Sequence, residues 1–118
     1  MSTLQQDLKA KFGYDLVSNF YEGRAVAKQY GKYFHITPDG KHLSAGRYDW
    51  ADHFCEGRAT VLLNNEWFHI TLDGEPLSAG RYSSITDFEE GRAIVSQGGK
   101  EFYIALDGMP IQEKYTKK

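Results

Sequence analysis

The chain repeats itself with a period of 34 residues, and this internal repeat limits the possible folds more than any other feature of the sequence. The tetrapeptide Glu-Gly-Arg-Ala begins at Glu22, Glu56 and Glu90. Other landmarks recur at the same spacing, namely Phe20, Phe54 and Phe88, then Phe34, Phe68 and Phe102, then the Asp-Gly pairs at Asp39, Asp73 and Asp107. A whole unit therefore occurs three times, which predicts an array of similar structural units.

Within each unit, apolar and polar residues alternate with a period of two, as they do in a β-strand. In the first unit, Ala25 and Ala27 share one face of the strand that follows Glu-Gly, and Arg24 falls on the other face. A returning strand carries Phe34 and Ile36 on its apolar face and ends at an Asp-Gly turn. The predicted turns between the two strands are Tyr30-Gly31, Asn64-Asn65 and Gly98-Gly99. Each unit is thus predicted to be an antiparallel hairpin or meander.

Each unit begins at the tyrosine of a Tyr-to-Phe segment, and a third, looser strand is predicted to lead into that segment through Leu43 or Leu77. The predicted units are residues 14–47, 48–81 and 82–115, followed by a tail at 116–118. The N-terminus holds a segment that the C-terminus lacks. Two arrangements therefore stay open, a stack of units or a closed ring in which the first strand completes the last unit. The predicted fold class is all-β in both.

Residues 1–13 precede the first unit and are predicted to form a short capping helix. Thr3 and Gln6 have the spacing of a capping box. The apolar residues that would share one helical face are Leu4, Leu8 and Phe12. Because the ends of a repeat array must differ from its middle, this helix is expected to cover the apolar face of the first unit.

Charge and composition argue against several classes of partner. A net charge of −2 cannot supply the counterion release that drives non-specific binding to nucleic acid, so no nucleic-acid partner is expected. No apolar run approaches the roughly 18 residues that a membrane span needs, so no membrane partner is expected. The single cysteine, Cys55, cannot form an internal disulfide, and the first residues lack the pattern of a signal peptide. We expect a cytoplasmic protein.

One face of the returning strand is a candidate binding surface. His35 shares this face with Tyr33, and His69 shares it with Trp67, opposite the Phe-Ile face. If neighbouring units align these rows, they form a stripe of aromatic, imidazole and guanidinium groups, types that are favoured at binding hot spots. Alternatively, cross-strand aromatic pairs stabilise an exposed sheet face without binding anything. The residues predicted to bind are Tyr33, His35, Trp67, His69, Tyr103, Arg24, Arg58 and Arg92.

Neither a metal site nor a catalytic site is predicted, and no cofactor is assigned. The third unit has Tyr103 in place of histidine, and Cys55 has no Cys-x-x-Cys partner, so a zinc ligand set is missing. No nucleophile with an oriented base is visible. Glu22 and Arg24 share a strand face, as do their equivalents in the other units, which favours a ladder of ion pairs between units over anion binding.

The repeated pattern resembles that of the bacterial WG-repeat (KWG-type) proteins. It reads Phe-x-Glu-Gly-Arg-Ala, Gly-Lys-aromatic, Ile-x-x-Asp-Gly and Arg-Tyr-Asp-x-x-x-x-Phe between Phe20 and Phe54, and the resemblance extends from Tyr14 to Tyr115. Where the family has Trp-Gly, this chain has Tyr33-Phe34, Trp67-Phe68 and Glu101-Phe102. The resemblance implies a β-hairpin array with a binding function.

Two functions follow as hypotheses. The first is a non-catalytic protein-interaction or scaffolding module that binds a protein partner or a second copy of itself, which predicts an exposed apolar patch or sheet edge. The second is a small-ligand or carbohydrate-binding domain that uses Trp67 and Tyr33, which predicts a concave pocket with converging polar groups. An enzyme is not expected, because a near-symmetric repeat does not readily supply an asymmetric cleft.

Overall fold

The fold is known from a computed structural model, which describes residues 3–112. It is mostly β, with one helix, α1 (Leu4–Phe12), at the N-terminus of the described chain. The strands are β1 (Leu16–Val17), β2 (Ala25–Gln29), β3 (Lys32–Ile36), β4 (Trp50–Ala51), β5 (Arg58–Leu63), β6 (Glu66–Thr71), β7 (Ser84–Ile85), β8 (Arg92–Gln97) and β9 (Lys100–Ala105). The predicted tail at 116–118 and the end of the third unit lie outside the described residues.

The strands form three antiparallel sheets of three strands each, in the orders β1-β2-β3, β4-β5-β6 and β7-β8-β9. This confirms the predicted all-β fold with three repeats. In each sheet, a long hairpin pairs with a two-residue strand from the Tyr-to-Phe segment. The looser strand predicted through Leu43 and Leu77 is wrong in its position, because both residues lie in bends that precede this short strand.

The hairpin turns adopt the left-handed conformation at both central residues. The φ angles are 55° and 77° at Tyr30 and Gly31, and 53° and 67° at Asn64 and Asn65. This geometry matches the right-handed twist of the flanking strands, and glycine and asparagine adopt it at low cost. The predicted turns are confirmed, and Tyr30 is the residue least suited to its place.

The helix α1 begins with the predicted capping box, in which the Thr3 hydroxyl accepts a hydrogen bond from the Gln6 amide and the Gln6 side chain accepts one from the Thr3 amide. Leu8 is buried and Phe12 half-buried against the core of the first unit, so the predicted helix and its position are confirmed. Leu4 of the predicted apolar face is 46% exposed.

Each sheet has its own core cluster. The largest fully buried side chains repeat from unit to unit, namely Phe34, Phe54, Phe88, Ile36, Ile70, Ile104, Val61 and Val95. The described residues measure 63 × 26 × 19 Å along their principal axes. β1 pairs with β2 of its own sheet, so the N-terminal segment completes the first unit. Within residues 3–112, no helix has the length and apolar character needed to cross a membrane.

Candidate functional site

The histidines of the predicted stripe lie between units and not on an open face. His35 and His69 are each 3% exposed, because the phenylalanine of the following unit packs on each ring. The ring centroids are 4.7 Å apart for His35 and Phe54, and 4.5 Å apart for His69 and Phe88. The prediction that both histidines lie on an open face is therefore wrong. They do lie on the strand face opposite the Phe-Ile face, but the following unit covers it.

Each buried histidine also bonds to the backbone of the following unit. Nε2 of His35 donates to the carbonyl oxygen of Asp52 at 2.8 Å, and Nε2 of His69 donates to that of Thr86 at 2.9 Å. Burial lowers the pKa of His35 to about 4 and lowers the pKa of His69 as well. Both rings are therefore uncharged at neutral pH and serve as junction hydrogen-bond donors.

The repeated arginines join units through backbone carbonyls. Arg24 donates from Nε and Nη2 to the carbonyl oxygen of Leu72 at 3.1 and 3.0 Å. Arg58 makes the equivalent bond to Leu106 at 2.9 Å. Each guanidinium also lies over the phenylalanine ring of the following unit, at 5.8 Å for Arg24. Both arginines are thus engaged in unit junctions.

The glutamates of the Glu-Gly turns bind backbone amides of the next turn. Glu22 accepts from the amide of Gly57 at 2.7 Å. Glu56 accepts from the amides of Glu90 and Gly91 at 2.7 and 2.8 Å. The expected ladder of Glu–Arg ion pairs is therefore wrong. A ladder does connect the units, but its charged side chains bind main-chain groups of the neighbouring unit.

The third unit places its predicted site residues at the end of the described array. The guanidinium of Arg92 lies 4.1 Å from the ring centroid of Tyr103. Both residues line a concavity of about 210 Å³ together with Glu90 and Ile94. No following unit covers them within residues 3–112.

Of the predicted aromatic residues, Tyr33 lies in a groove that reasoning from the sequence did not identify. This junction groove lies between the first and second units and has a volume of about 340 Å³. Its walls are formed by Leu16, Ser18, Asn19, Tyr21, Val26, Tyr33, Trp50, Ala51, Asp52 and His53. Trp67, the repeat equivalent of Tyr33, is half-buried and does not line this groove.

Two pairs of rings line the junction groove. The centroids of Tyr33 and Trp50 are 4.9 Å apart with planes tilted by 56°. Those of Tyr21 and His53 are 4.3 Å apart with planes tilted by 31°. Tyr21 and Trp50 are each 42% exposed, so ring surface is open to solvent along the groove.

The polar side of the groove is centred on Asp52. The Trp50 Nε1 donates to Asp52 Oδ1 at 3.0 Å, which fixes the indole against the carboxylate. Burial raises the pKa of Asp52, and the nearby Asp87 carboxylate adds to that effect. Lys28 Nζ lies 5.2 Å from the Tyr33 centroid. The groove can thus bind an apolar or aromatic group while hydrogen-bonding to a polar one.

The aromatic residues of the groove interrupt the repeat. Ser84 occupies the position of Trp50 in the third unit, and Asp87 occupies that of His53. Cys55 occupies the position of Tyr21 in the second unit. Aromatic residues that occur in one unit and not at the equivalent positions of the others are the signal that could have identified this groove. Residues that recur in every unit are already explained by the fold that the units share.

Within the described range, no group of three or more His, Cys, Asp and Glu side chains could hold a metal ion. The Cys55 thiol donates to the Phe88 carbonyl at 3.3 Å, and its pKa is raised mainly by burial. The thiol is therefore protonated at neutral pH, and a thiolate nucleophile is not favoured.

The sheets and their junctions define a β-repeat module in which repeated arginine, glutamate and histidine side chains bind main-chain groups of the following unit. The family described as WG containing repeat matches the chain over residues 5–33, 36–67 and 70–100. The chain belongs to this family, which confirms the WG-repeat resemblance. The matched stretches end at Tyr33, Trp67 and Lys100, on the returning strands, so the family repeat and the three-stranded sheets differ in phase. Comparisons with curated proteins and with solved structures give no match.

Proposed function

We propose that the chain is a non-catalytic protein-interaction module of the WG-repeat type, and that the junction groove is its binding site. The observation that supports this proposal best is that the groove exposes aromatic rings that the repeated fold does not require. Trp50 and Tyr21 are each 42% exposed, and neither position is aromatic in another unit: the equivalents of Trp50 are Leu16 and Ser84, and those of Tyr21 are Cys55 and Glu89. Aromatic side chains of this kind supply much of the energy at protein interfaces.

The non-catalytic part of the proposal is supported by the use of the histidines. His35 and His69 are uncharged and donate Nε2 to carbonyls across unit junctions. A general base must hold a reacting proton within hydrogen-bond reach, and these rings are buried under Phe54 and Phe88. The module is proposed to act in the cytoplasm on a protein partner.

A small-ligand or carbohydrate-binding function is the second candidate, and the size and polarity of the groove favour it. A volume of about 340 Å³ is within the range of small-molecule sites. Ser18, Asn19 and Asp52, which carry hydrogen-bonding side chains, line the same groove as Trp50. A sugar ring stacked on the indole would use both features.

Trp50→Ser tests the groove with a residue that the third unit already tolerates at the same position, Ser84. The native chain and the variant are immobilised, and proteins retained from lysate only by the native chain are identified, purified and titrated. We expect the variant to lose about tenfold or more in affinity, as a hot-spot aromatic does.

The matched control is Ser84→Ala, which changes the equivalent exposed position away from the groove and should bind as the native chain does. If Trp50→Ser titrates like the native chain against every purified partner, the groove is not the protein-binding site. If the native chain and Ser84→Ala bind a glycan array and Trp50→Ser does not, the groove is a carbohydrate-binding site.

A further inference from the structure

The third unit keeps the glutamate and the arginine that join units elsewhere, with Tyr103 in place of the histidine, but nothing in the described chain packs on them. We call the surface formed by Glu90, Arg92, Ile94 and Tyr103 the trailing face of the third unit. The residues that occupy the position of Ile94 in the first two units, Val26 and Thr60, are 7% and 3% exposed beneath the following unit. Ile94 itself is half-buried beside the concavity described above.

The two internal junctions show what such a face binds. The glutamate accepts hydrogen bonds from turn amides, as Glu56 does from Gly91 at 2.8 Å. The arginine donates to the carbonyl that precedes an Asp-Gly turn, as Arg58 does to Leu106 at 2.9 Å. A phenylalanine ring completes the contact. The partner that fits the trailing face is therefore another unit of this type.

The first unit of the chain presents the same groups at the other end of the array. Glu22 and Gly23, which carry the turn amides, are exposed, and so is Pro38, whose carbonyl corresponds to that of Leu72. Phe20 is half-buried, whereas its equivalents in the second and third units, Phe54 and Phe88, are each 1% exposed. The two ends of the array are complementary.

We propose that the trailing face of the third unit docks the first unit of a second copy of this chain, so that copies join head to tail. Glu90 accepts from the partner's Glu-Gly turn amides, and Arg92 donates to its Pro38 carbonyl. The contact repeats a junction that the chain already makes twice internally. Because the two surfaces differ, the contact is heterologous and can extend beyond a dimer.

The helix α1 competes with this docking. The Gln5 side chain of the helix donates a 2.8 Å hydrogen bond to Asn19. Asn19 is the repeat equivalent of His53, whose ring stacks on Tyr21 of the preceding unit. Leu8 and Phe12 of the helix lie against Gly40 of the first unit. At the equivalent glycine of the second unit, Gly74, the neighbour is Ser44 of the preceding unit. α1 thus holds two of the positions that an incoming copy needs, and it leaves the Glu-Gly turn and Pro38 open.

The test loosens the helix in the full chain and measures association by sedimentation velocity over a concentration series. Thr3→Ala removes the cap without touching any unit, and we expect association at about fivefold lower concentration than for the native chain. Leu8→Ala removes the main contact of the helix with the first unit and should shift association further. Circular dichroism checks that each variant is folded.

The docking surface is tested in the same background. Combining Thr3→Ala with Glu90→Ala and Arg92→Ala should return the chain to the monomer, because these exposed side chains contribute only to the trailing face. A folded Thr3→Ala chain that associates no more readily than the native one overturns the proposal. So does association that is insensitive to the Glu90 and Arg92 changes, which would indicate contact through exposed helix residues. Should Leu8→Ala fail to fold, the Thr3 series decides alone.

Discussion

The imidazole Nε2 of His35 donates a 2.8 Å hydrogen bond to the main-chain carbonyl of Asp52 and so ties the first unit to the second through an uncharged ring. The other ring nitrogen, Nδ1, is buried without a hydrogen-bond partner in the described chain. A proton added there would place a charge in a low-dielectric junction beside the Arg24 guanidinium. Protonation of this ring would therefore weaken the junction.

Acidification should weaken this junction before most carboxylates titrate. The folded-state pKa of about 4 lies below the ordinary value of 6.5, so the unfolded state takes up the proton first. The contribution of His35 to the free energy of unfolding is therefore fully present above pH 6.5 and should fall by about 3 kcal/mol between pH 7 and pH 4. Urea unfolding across this range measures the change.

His35→Gln is the control for the pH series, because glutamine does not titrate. The variant should be less stable than the native chain at pH 7 but should lose less stability on acidification. An equal slope in both proteins would assign the acid sensitivity to other groups.

Arg24→Ala and Arg92→Ala form a matched pair, since the two arginines occupy equivalent positions and only Arg24 has a following unit in the described chain. Loss of the charged hydrogen bonds to Leu72 should cost about 1–2 kcal/mol in unfolding free energy, after allowance for the partial exposure of Arg24. Arg92→Ala should cost less than about 0.5 kcal/mol in dilute monomeric protein. Equal losses in thermal or urea unfolding would show that the junction bond contributes nothing.

Tyr30→Asn should stabilise the protein. Tyr30 is 91% exposed and has a φ of 55°, so its ring contributes little packing while its backbone is strained. Asparagine before Gly31 gives the preferred sequence for this turn, and we expect a gain of about 0.5–1 kcal/mol. The reverse change at the second hairpin, Asn64→Tyr, should lower the melting temperature. A loss of stability in Tyr30→Asn would mean that the ring packs in solution.

Gly40→Ala should loosen α1 from the first unit. A Cβ at this position would overlap the rings and methyls of Phe12 and Leu8, in addition to the cost of a φ of 85°. Gly31→Ala carries a similar φ of 77° in open space and isolates the backbone term. We expect about 1 kcal/mol for Gly31→Ala and about 2–3 kcal/mol for Gly40→Ala. Hydrogen exchange of the α1 amides should quicken only in Gly40→Ala.

The strands, turns and capping helix were predictable because each follows from local rules. Period-two alternation places Ala25 and Phe34 on a buried face, and Thr3 with Gln6 specifies the helix start. The burial of His35 was not predictable in the same way. Alternation separates two faces of a strand, but it does not say that the next unit covers the second one.

The groove was missed for a related reason. The repeat directs attention to positions that recur, such as Tyr33 and Trp67, whereas three of the four aromatic rings of the groove, Tyr21, Trp50 and His53, do not recur. Residues that recur in every unit are candidates for structural roles, and residues that break the repeat are candidates for function. By this rule, Trp50 could have been selected from the sequence.

The junction bonds of the repeated arginines and glutamates end on backbone atoms, and this has a consequence for the evolution of such a chain. Arg24 binds the carbonyl of Leu72, and Glu56 binds the amides of Glu90 and Gly91, so the receiving residues can mutate without breaking the bond. A duplicated or deleted unit would meet the same acceptors and donors on its new neighbour. Gene segments encoding whole units can therefore be copied, lost or exchanged without compensating mutations at these particular bonds.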